Sequence, residues 1–166
     1  MESKKIIEIE YGGLDLNKLL AKLKSSNILL NEYAKTIFSN NLFKVSDKNT
    51  KISLLITTIK EIGFPNGATI PQIESSLKNY NLSQCPLEVA PYLRLFLNDQ
   101  EEINEKTLNQ APPESLTVFS KPLIDDDLFP KGFYLRKMYG ELWLRGYTCS
   151  LDYLWSPKDK FVFKLL

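Results

Sequence analysis

Histidine is absent from all 166 residues of this chain. Its absence excludes a Ser-His-Asp or Cys-His nucleophile within the chain, removes the commonest general base, and excludes every zinc site that has an imidazole ligand. The two cysteines, Cys85 and Cys149, are too few for an all-thiolate zinc site. An enzyme built from this sequence would have to use carboxylates, lysine, tyrosine or a thiolate, and we expect neither a metal nor a cofactor.

Long apolar runs and an export signal are also missing. No stretch reaches the roughly 20 apolar residues that a membrane helix needs, and the first residues lack the apolar region and cleavage site of a signal peptide. Two cysteines are too few for a disulfide framework, so we expect reduced thiols and a cytoplasmic location. With 43% hydrophobic and 25% charged residues, the composition predicts one soluble globular domain over residues 1–166.

An excess of charge of either sign is missing too, because the formal net charge is +1. The charge is unevenly distributed: residues 1–60 carry +4, residues 61–130 carry −7 and residues 131–166 carry +4. The simplest explanation is complementary charge within one small domain. The net charge gives no general attraction to nucleic acid or acidic membranes, so we expect neither as a partner.

Hydrophobic periodicity predicts helices in the first half of the chain and mostly strands in the second. The predicted helices cover residues 14–25, a segment from Asn27 or Asn31 to Phe38, and a segment from Ile70 to about Tyr80 with a capping box of Thr69 and Gln72. The predicted strands are 4–10, 51–59, 115–121, 132–138, 141–147 and 160–165. This order favours an α+β fold, a mainly antiparallel sheet with the helices of the N-terminal half packed on one face.

The stretch Cys85–Gln100 allows two interpretations. Pro86 suits a helix N-terminus, whereas Pro91 would break a helix interior, so we predict one helical turn over Pro86–Ala90 and a strand from Tyr92. The alternative is a single helix kinked at Pro91. The polar segment Glu101–Gln110 that follows is predicted to be an exposed helix or a long loop.

Six phrases of the sequence resemble a family of small bacterial proteins with no established function. They are Gly63-Phe-Pro-Asn-Gly-Ala-Thr69, Cys85-Pro-Leu-Glu88, Leu93-Arg-Leu95, Asp99-Gln100, Leu142-Trp-Leu144 and Trp155-Ser-Pro-Lys-Asp-Lys-Phe-Val-Phe163. The resemblance covers residues 30–163 and implies no activity. A helicase motor is excluded by chemistry, because the chain has no Gly-x-x-x-x-Gly-Lys phosphate-binding loop.

Three charged residues near the middle of the chain form a candidate site: Glu88, Arg94 and Asp99. Two carboxylates around a guanidinium could perform acid–base chemistry on a small polar substrate, with Arg94 as the anion clamp. The simpler interpretation is an internal salt bridge that ties the short turn to the following strand.

Two further features are given structural interpretations. Cys85 precedes a helical turn, which could lower its pKa, but without a histidine base we expect a buried structural thiol. The run Asp125-Asp-Asp127 lacks the spacing of a calcium loop, and we expect a solvated acidic turn.

Aromatic and basic residues are concentrated in the last third of the chain. The strands at 132–138 and 141–147 place Tyr134 and Trp143 where they could form one aromatic face, with Arg136 and Arg145 nearby. The candidate binding residues are Tyr134, Arg136, Trp143, Arg145, Tyr147 and Trp155. Aromatic rings beside guanidinium groups suit a peptide, a sugar or a stacked base, and the alternative is that these rings fill the core.

The sequence therefore favours a small bacterial binding or interaction module that uses this C-terminal aromatic and basic sheet surface. Its partner would be a protein or a small molecule. The alternative function is a histidine-free enzyme that uses Glu88, Arg94 and Asp99. We expect a monomer, or a homodimer formed through the last strand, whose edge nothing in the sequence covers.

Overall fold

The computed structural model describes residues 4–166, which form one sheet of eight strands together with four α-helices. The strands are β1 Lys5–Tyr11, β2 Leu29–Leu30, β3 Thr50–Thr58, β4 Leu82–Ser83, β5 Leu116–Val118, β6 Gly132–Met138, β7 Glu141–Tyr147 and β8 Lys160–Leu165. The helices are α1 Leu16–Ser25, α2 Glu32–Ser39, α3 Ile70–Ser76 and α4 Val89–Phe96, and 3₁₀ turns cover Lys60–Ile62 and Leu77–Tyr80. The predicted α+β class is confirmed.

The sheet is mixed rather than purely antiparallel. The strand order is β1-β3-β8-β5-β6-β7-β2, with β4 paired to β8. Strand β5 runs parallel to β8 and β2 runs parallel to β7, while the other pairs are antiparallel. The last strand, β8, lies between β3 and β5, so the prediction that it forms an open edge is wrong, and with it the stated reason to expect a homodimer.

Helices cover both faces of the sheet, which corrects the prediction that they pack on one face. In β8, Val162 points toward a core shared with α1, α2 and α4, whereas Phe161 and Phe163 point toward a second core that includes Ile70 and Ile73 of α3. The physical reason is that the central strands are apolar on both faces, so each face needs a covering layer.

The stretch from Val89 to Phe96 is helical, so the predicted strand from Tyr92 is wrong. The helix begins only at Val89, which makes Pro91 its third residue. The first N–H groups of a helix have no intrahelical acceptor, so Pro91 removes no hydrogen bond there. Leu93 and Leu97 are buried with Val89 at a spacing of four, whereas Phe96 is 53% exposed, so helical periodicity decides which side chains reach the core.

Local signals correctly predicted the start of α3 and the turn between β6 and β7. Thr69 and Gln72 form the predicted capping box: the Thr69 N–H donates to Gln72 Oε1 at 2.8 Å, and the Gln72 N–H donates to Thr69 Oγ1 at 3.4 Å. Tyr139 and Gly140 both adopt positive φ, 51° and 75°, as a tight hairpin between β6 and β7 requires. The segment Glu101–Gln110 forms no helix and belongs to the long loop that joins α4 to β5.

Candidate functional site

The β6–β7 hairpin places four of the predicted binding residues on one face of the sheet. Tyr134 pairs with Arg145, and Arg136 pairs with Trp143. Residues that are paired directly across two strands, or two apart along one strand, point to the same side, so the four side chains form one row of two pairs. The register confirms the predicted common face of Tyr134 and Trp143, and it places the two arginines on the same face.

A cleft of about 420 Å³ opens beside this row. Its floor is the hairpin, and its walls are the start of α2, the loop before β5 and the segment after β7. The lining residues are Asn31, Tyr33, Asn109, Gln110, Ala111, Pro112, Ser115, Thr117, Tyr134, Arg145, Gly146, Tyr147, Thr148, Cys149, Tyr153 and Trp155. Four of the six predicted binding residues, Tyr134, Arg145, Tyr147 and Trp155, therefore line one cavity.

The guanidinium of Arg145 is held by two neighbouring side chains of the hairpin, Tyr134 and Trp143. Its Nε–H donates to the Tyr134 hydroxyl at 2.8 Å. Its central carbon lies 4.9 Å from the centre of the Trp143 ring and 6.0 Å from that of Tyr134. A cation over an aromatic face is attracted by the ring's quadrupole, so these contacts fix the orientation of Arg145.

The other two predicted binding residues do not line the cleft. Arg136 is buried, and its Nη2 donates to the carbonyl oxygens of Ile103 at 3.1 Å and Glu105 at 2.6 Å. Trp143 supports Arg145 from outside the cavity. Arg136 therefore anchors the loop before β5, and Trp143 positions the guanidinium that faces the cleft.

Trp155 forms the rear wall with two tyrosines. It is 4% exposed, and its ring centre lies 5.6 Å from Tyr147 and 5.3 Å from Tyr153 in edge-to-face arrangements. Its indole N–H has no acceptor within residues 4–166. Burial raises the pKa of both tyrosines and raises the pKa of the Cys149 thiol to about 11, so these groups are neutral near pH 7.

Several lining residues were missed by sequence reasoning because distant segments supply them. Asn31 and Tyr33 come from the start of α2, and Asn109–Pro112 come from the loop before β5. One sequence signal pointed to this contact: Gly146 sits inside a strand, where glycine often marks a close backbone approach. A Cβ at Gly146 would lie 2.7 Å from the carbonyl carbon of Tyr33, so the glycine is what lets α2 approach β7.

The central charged residues do not come together as a site. Arg94 is 0% exposed, and its Nη1 donates to Gln100 Oε1 at 2.6 Å while its Nη2 donates to the Leu97 carbonyl. Glu88 instead accepts hydrogen bonds from the backbone and the hydroxyl of Ser46, and Asp99 is exposed. Within residues 4–166 no carboxylate lies within ion-pair distance of Arg94, so the expected salt bridge does not form.

The environment of Arg94 is one of neutral acceptors. Besides Gln100 and Leu97, its Nη1 lies 3.4 Å from the Trp143 carbonyl and 3.5 Å from the Arg136 carbonyl. Burial lowers the pKa of Arg94 to about 10, which leaves it charged at neutral pH. Arg94 thus ties the end of α4 to the β6–β7 hairpin, and none of Glu88, Arg94 and Asp99 lines the cleft.

Cys85 and the acidic run at residues 125–127 lie away from the cleft. Cys85 is buried, and burial raises its pKa to about 12, which makes it a poor nucleophile at neutral pH. The run Asp125-Asp-Asp127 is exposed, and Asp127 pairs at 3.0 Å with the buried ammonium of Lys131. In the described part of the chain, no group of three or more His, Cys, Asp or Glu side chains could hold a metal ion.

Two other cavities lie elsewhere. One of about 590 Å³ is an apolar groove between α1 and α2, and one of about 480 Å³ lies where Ile6 and Tyr11 of β1 meet the end of β8. Neither contains one of the predicted site residues. From residue 4 onward, no helix has both the length and the apolar character needed to cross a membrane.

No protein-family model matches the chain, and no curated protein and no solved structure matches it either. The resemblance to a family of small bacterial proteins therefore stays an expectation, and function has to be inferred from the geometry of the cleft.

Proposed function

We propose that this protein is a binding module whose small-molecule ligand occupies the cleft beside the β6–β7 hairpin. The observation that carries the proposal is the convergence of Tyr134, Arg145, Tyr147 and Trp155 on one cavity of about 420 Å³. That volume falls in the range of about 300–1,000 Å³ that small-molecule sites occupy. Aromatic walls with a few directed polar groups are the usual composition of such sites.

A concave site favours a small molecule over a flat protein or nucleic-acid surface. Of the two hairpin arginines, only Arg145 faces the cleft, because Arg136 is buried and bonded to the loop carbonyls of Ile103 and Glu105. A nucleic-acid surface needs several cations spaced along a phosphate backbone, and a single guanidinium does not supply them. We therefore assign the rings of Tyr134, Tyr147 and Trp155 to the walls of a pocket rather than to an open platform.

The walls of the cleft are held in place without a ligand. Gln100 donates to the carbonyl oxygens of Glu114 at 3.0 Å and Leu135 at 2.8 Å, and Lys160 forms an ion pair with Glu114. Together with the Arg136 contacts, these bonds attach both ends of the loop before β5 to the sheet. A pocket held open in this way loses little conformational entropy when it binds, which favours affinity.

Acid–base catalysis receives no support from the arrangement. The two carboxylates considered for it are either bonded to Ser46, as Glu88 is, or exposed to solvent, as Asp99 is. Neither lies beside the cleft, and no carboxylate from residues 4–166 lines it. A group that transfers a proton must come within hydrogen-bond reach of the substrate, so we do not carry the enzyme hypothesis forward.

A cavity-filling variant tests the proposal. Ala111→Trp places a large ring at the cleft wall, and Ala21→Trp places the same ring on the exposed surface of α1 as the matched control. A library of small metabolites is screened for compounds that raise the melting temperature of the wild type. We expect such compounds to stabilise Ala21→Trp equally and to have no effect on Ala111→Trp.

Chemical-shift mapping provides the second readout. A bound compound should shift the amide resonances of residues around Tyr134, Arg145 and Thr117, all of which line the cleft. If compounds stabilise Ala111→Trp as much as the wild type, or if the shifts cluster at another cavity, the cleft is not the binding site and the proposal fails.

A further inference from the structure

Arg145 is the one ionised side chain among the residues that line the cleft in the described part of the chain. The remaining lining residues are apolar, aromatic, hydroxyl, amide or thiol residues, and the Cys149 thiol and the Tyr147 phenol are held neutral by burial. No carboxylate between residues 4 and 166 lies within ion-pair distance of Arg145. The cleft therefore carries one positive charge without an internal counter-ion.

The hydrogen-bonding capacity of Arg145 is mostly unused. A guanidinium has five N–H donors in a planar fork, and only the Nε–H has a protein acceptor, the Tyr134 hydroxyl. The Nη1 and Nη2 groups have none within the described residues. Because the Nε bond and the Trp143 ring fix the plane of the fork, two parallel N–H groups are available in a defined orientation.

The rest of the lining suits an aromatic body with polar substituents. Tyr147, Tyr153 and Trp155 meet edge to face, so the rear wall presents both ring edges and ring faces. The indole N–H of the buried Trp155 is left without an acceptor. Because the nitrogen itself is buried, a ligand in the cleft would meet the faces and edges of these rings rather than that donor.

This inference rests on the proposed function and specifies its ligand. The geometry points to an aromatic carboxylate whose carboxylate group receives paired hydrogen bonds from Arg145 while its ring packs against Trp155 and Tyr147. A planar carboxylate matches the guanidinium fork. Its single negative charge balances the single positive charge of the cleft. A phosphate monoester carries close to two negative charges against one cation, so more charge must leave water without a partner, and we expect it to bind more weakly.

Three probes that share an indole ring but differ in charge test the charge of the ligand, and a phosphate ester tests the kind of anion. Dissociation constants are measured by calorimetry or NMR titration for indole-3-acetate, its neutral amide indole-3-acetamide, the cation tryptamine and phenyl phosphate. We expect indole-3-acetate to bind most tightly, roughly 10- to 100-fold more tightly than its amide, because a charged hydrogen-bonded pair is lost in the amide. Tryptamine should bind more weakly than the amide.

Variants at Arg145 locate the effect. Arg145→Gln should lower the affinity for indole-3-acetate by the same factor that separates acid from amide, and should leave the affinity for the amide unchanged. Arg145→Lys keeps the charge without the fork and should recover only part of the loss. Tyr134→Phe keeps the arginine but removes its Nε acceptor, so it should weaken acid binding less than Arg145→Gln and remains informative if Arg145→Gln fails to fold.

The outcomes separate this inference from the proposed function. If the neutral amide binds as tightly as the acid, or if Arg145→Gln does not change the preference, the cleft binds ligands but the anion inference is wrong. If phenyl phosphate binds more tightly than indole-3-acetate, the anion is a phosphate and the carboxylate assignment is wrong. If no probe binds at millimolar concentration, the carboxylate inference is overturned, while the library screen with Ala111→Trp still decides the proposed function.

Discussion

The side chain of Asn31 and the backbone of Gly146 are joined by two hydrogen bonds, one in each direction. Asn31 Nδ2 donates to the Gly146 carbonyl oxygen at 3.0 Å, and the Gly146 N–H donates to Asn31 Oδ1 at 2.8 Å. The same Oδ1 accepts from the N–H of Ala34 at 2.9 Å, which makes Asn31 the N-cap of α2. One amide group therefore continues the pairing of β2 with β7 and starts the helix that walls the cleft.

The first prediction concerns this junction. Asn31→Ala should lower the free energy of unfolding by about 2–4 kcal/mol, because it removes an N-cap and leaves two backbone groups of Gly146 without partners. Gly146→Ala should cost about 1–3 kcal/mol through the clash of its Cβ with Tyr33. Urea denaturation measures both changes, and Asn17→Ala on the exposed surface of α1 is the control. A loss at Asn31 no larger than at Asn17 would contradict the assigned role.

The Asn31–Gly146 junction shows where sequence reasoning reaches its limit. Asparagine as an N-cap is a local signal, and Asn31 was one of two caps predicted for this helix. Its second role depends on a strand 115 residues away, and no local pattern specifies that partner. The same holds for β2 and β4, which are two residues long and exist only because a distant strand pairs with them.

Elements with consistent local signals were predicted correctly. The β6–β7 hairpin has alternating side chains and a turn that contains Gly140, which tolerates positive φ, and both strands match their predicted bounds. The stretch from Tyr92 to Leu97 was assigned to a strand because its apolar residues fit a period of two as well as a helix over that short length. A helix is compatible with Pro91 because the proline lies in its first turn. That position is known only once the start of the helix at Val89 is known.

The candidate site was predicted in part for the same reason. Strand alternation and the hairpin turn predicted one aromatic face for Tyr134 and Trp143 with Arg145 nearby, and both are local signals. Whether the guanidinium of an arginine is hydrogen-bonded within the protein depends on the loop that passes over it. The loop before β5 covers Arg136 but not Arg145. A sequence of mixed polar residues such as 101–110 gives no indication of which side chain it will contact.

The second prediction concerns the buried guanidinium of Arg94. Gln100→Ala removes the acceptor at 2.6 Å from its Nη1 and the two donor contacts to Glu114 and Leu135. We expect a loss of about 2–4 kcal/mol in the free energy of unfolding, since a buried charge loses a partner. Hydrogen exchange should also become faster in the loop before β5. Asn98→Ala, an exposed neighbour, is the control, and equal effects of the two substitutions would exclude this role of Gln100.

The third prediction is a pH dependence. Burial raises the pKa of Asp159 from 3.8 to about 6, although its carboxylate accepts a hydrogen bond from the Ser156 N–H at 2.8 Å. The native carboxyl group holds its proton more tightly than the unfolded one, so the unfolded chain binds fewer protons between about pH 4 and pH 6. This group therefore makes stability fall as pH rises through that window.

Asp159→Asn isolates this contribution, because an amide oxygen can accept the same hydrogen bond without titrating. Relative to the wild type, the variant should gain stability as pH rises from about 4 to 6 and show a constant difference above that range. Thermal unfolding at several pH values measures the difference. A flat difference for Asp159→Asn would mean that its carboxyl group is not perturbed.

The fourth prediction tests how the loop before β5 is held over the sheet. The Nη2 group of Arg136 donates to the carbonyl oxygens of Ile103 and Glu105, directly before Lys106. Arg136→Gln removes these charged donors, so the segment should open more often, and trypsin should cleave after Lys106 faster by about tenfold under conditions where the fold is intact. Lys137→Gln, on the next residue of β6 and the opposite face, is the control because it removes a neighbouring charge without touching the loop carbonyls. Equal cleavage rates for the two variants would show that Arg136 does not restrain the loop, and the contacts of Glu102 and Asn104 with the hairpin turn would then be the restraints nearest to Lys106.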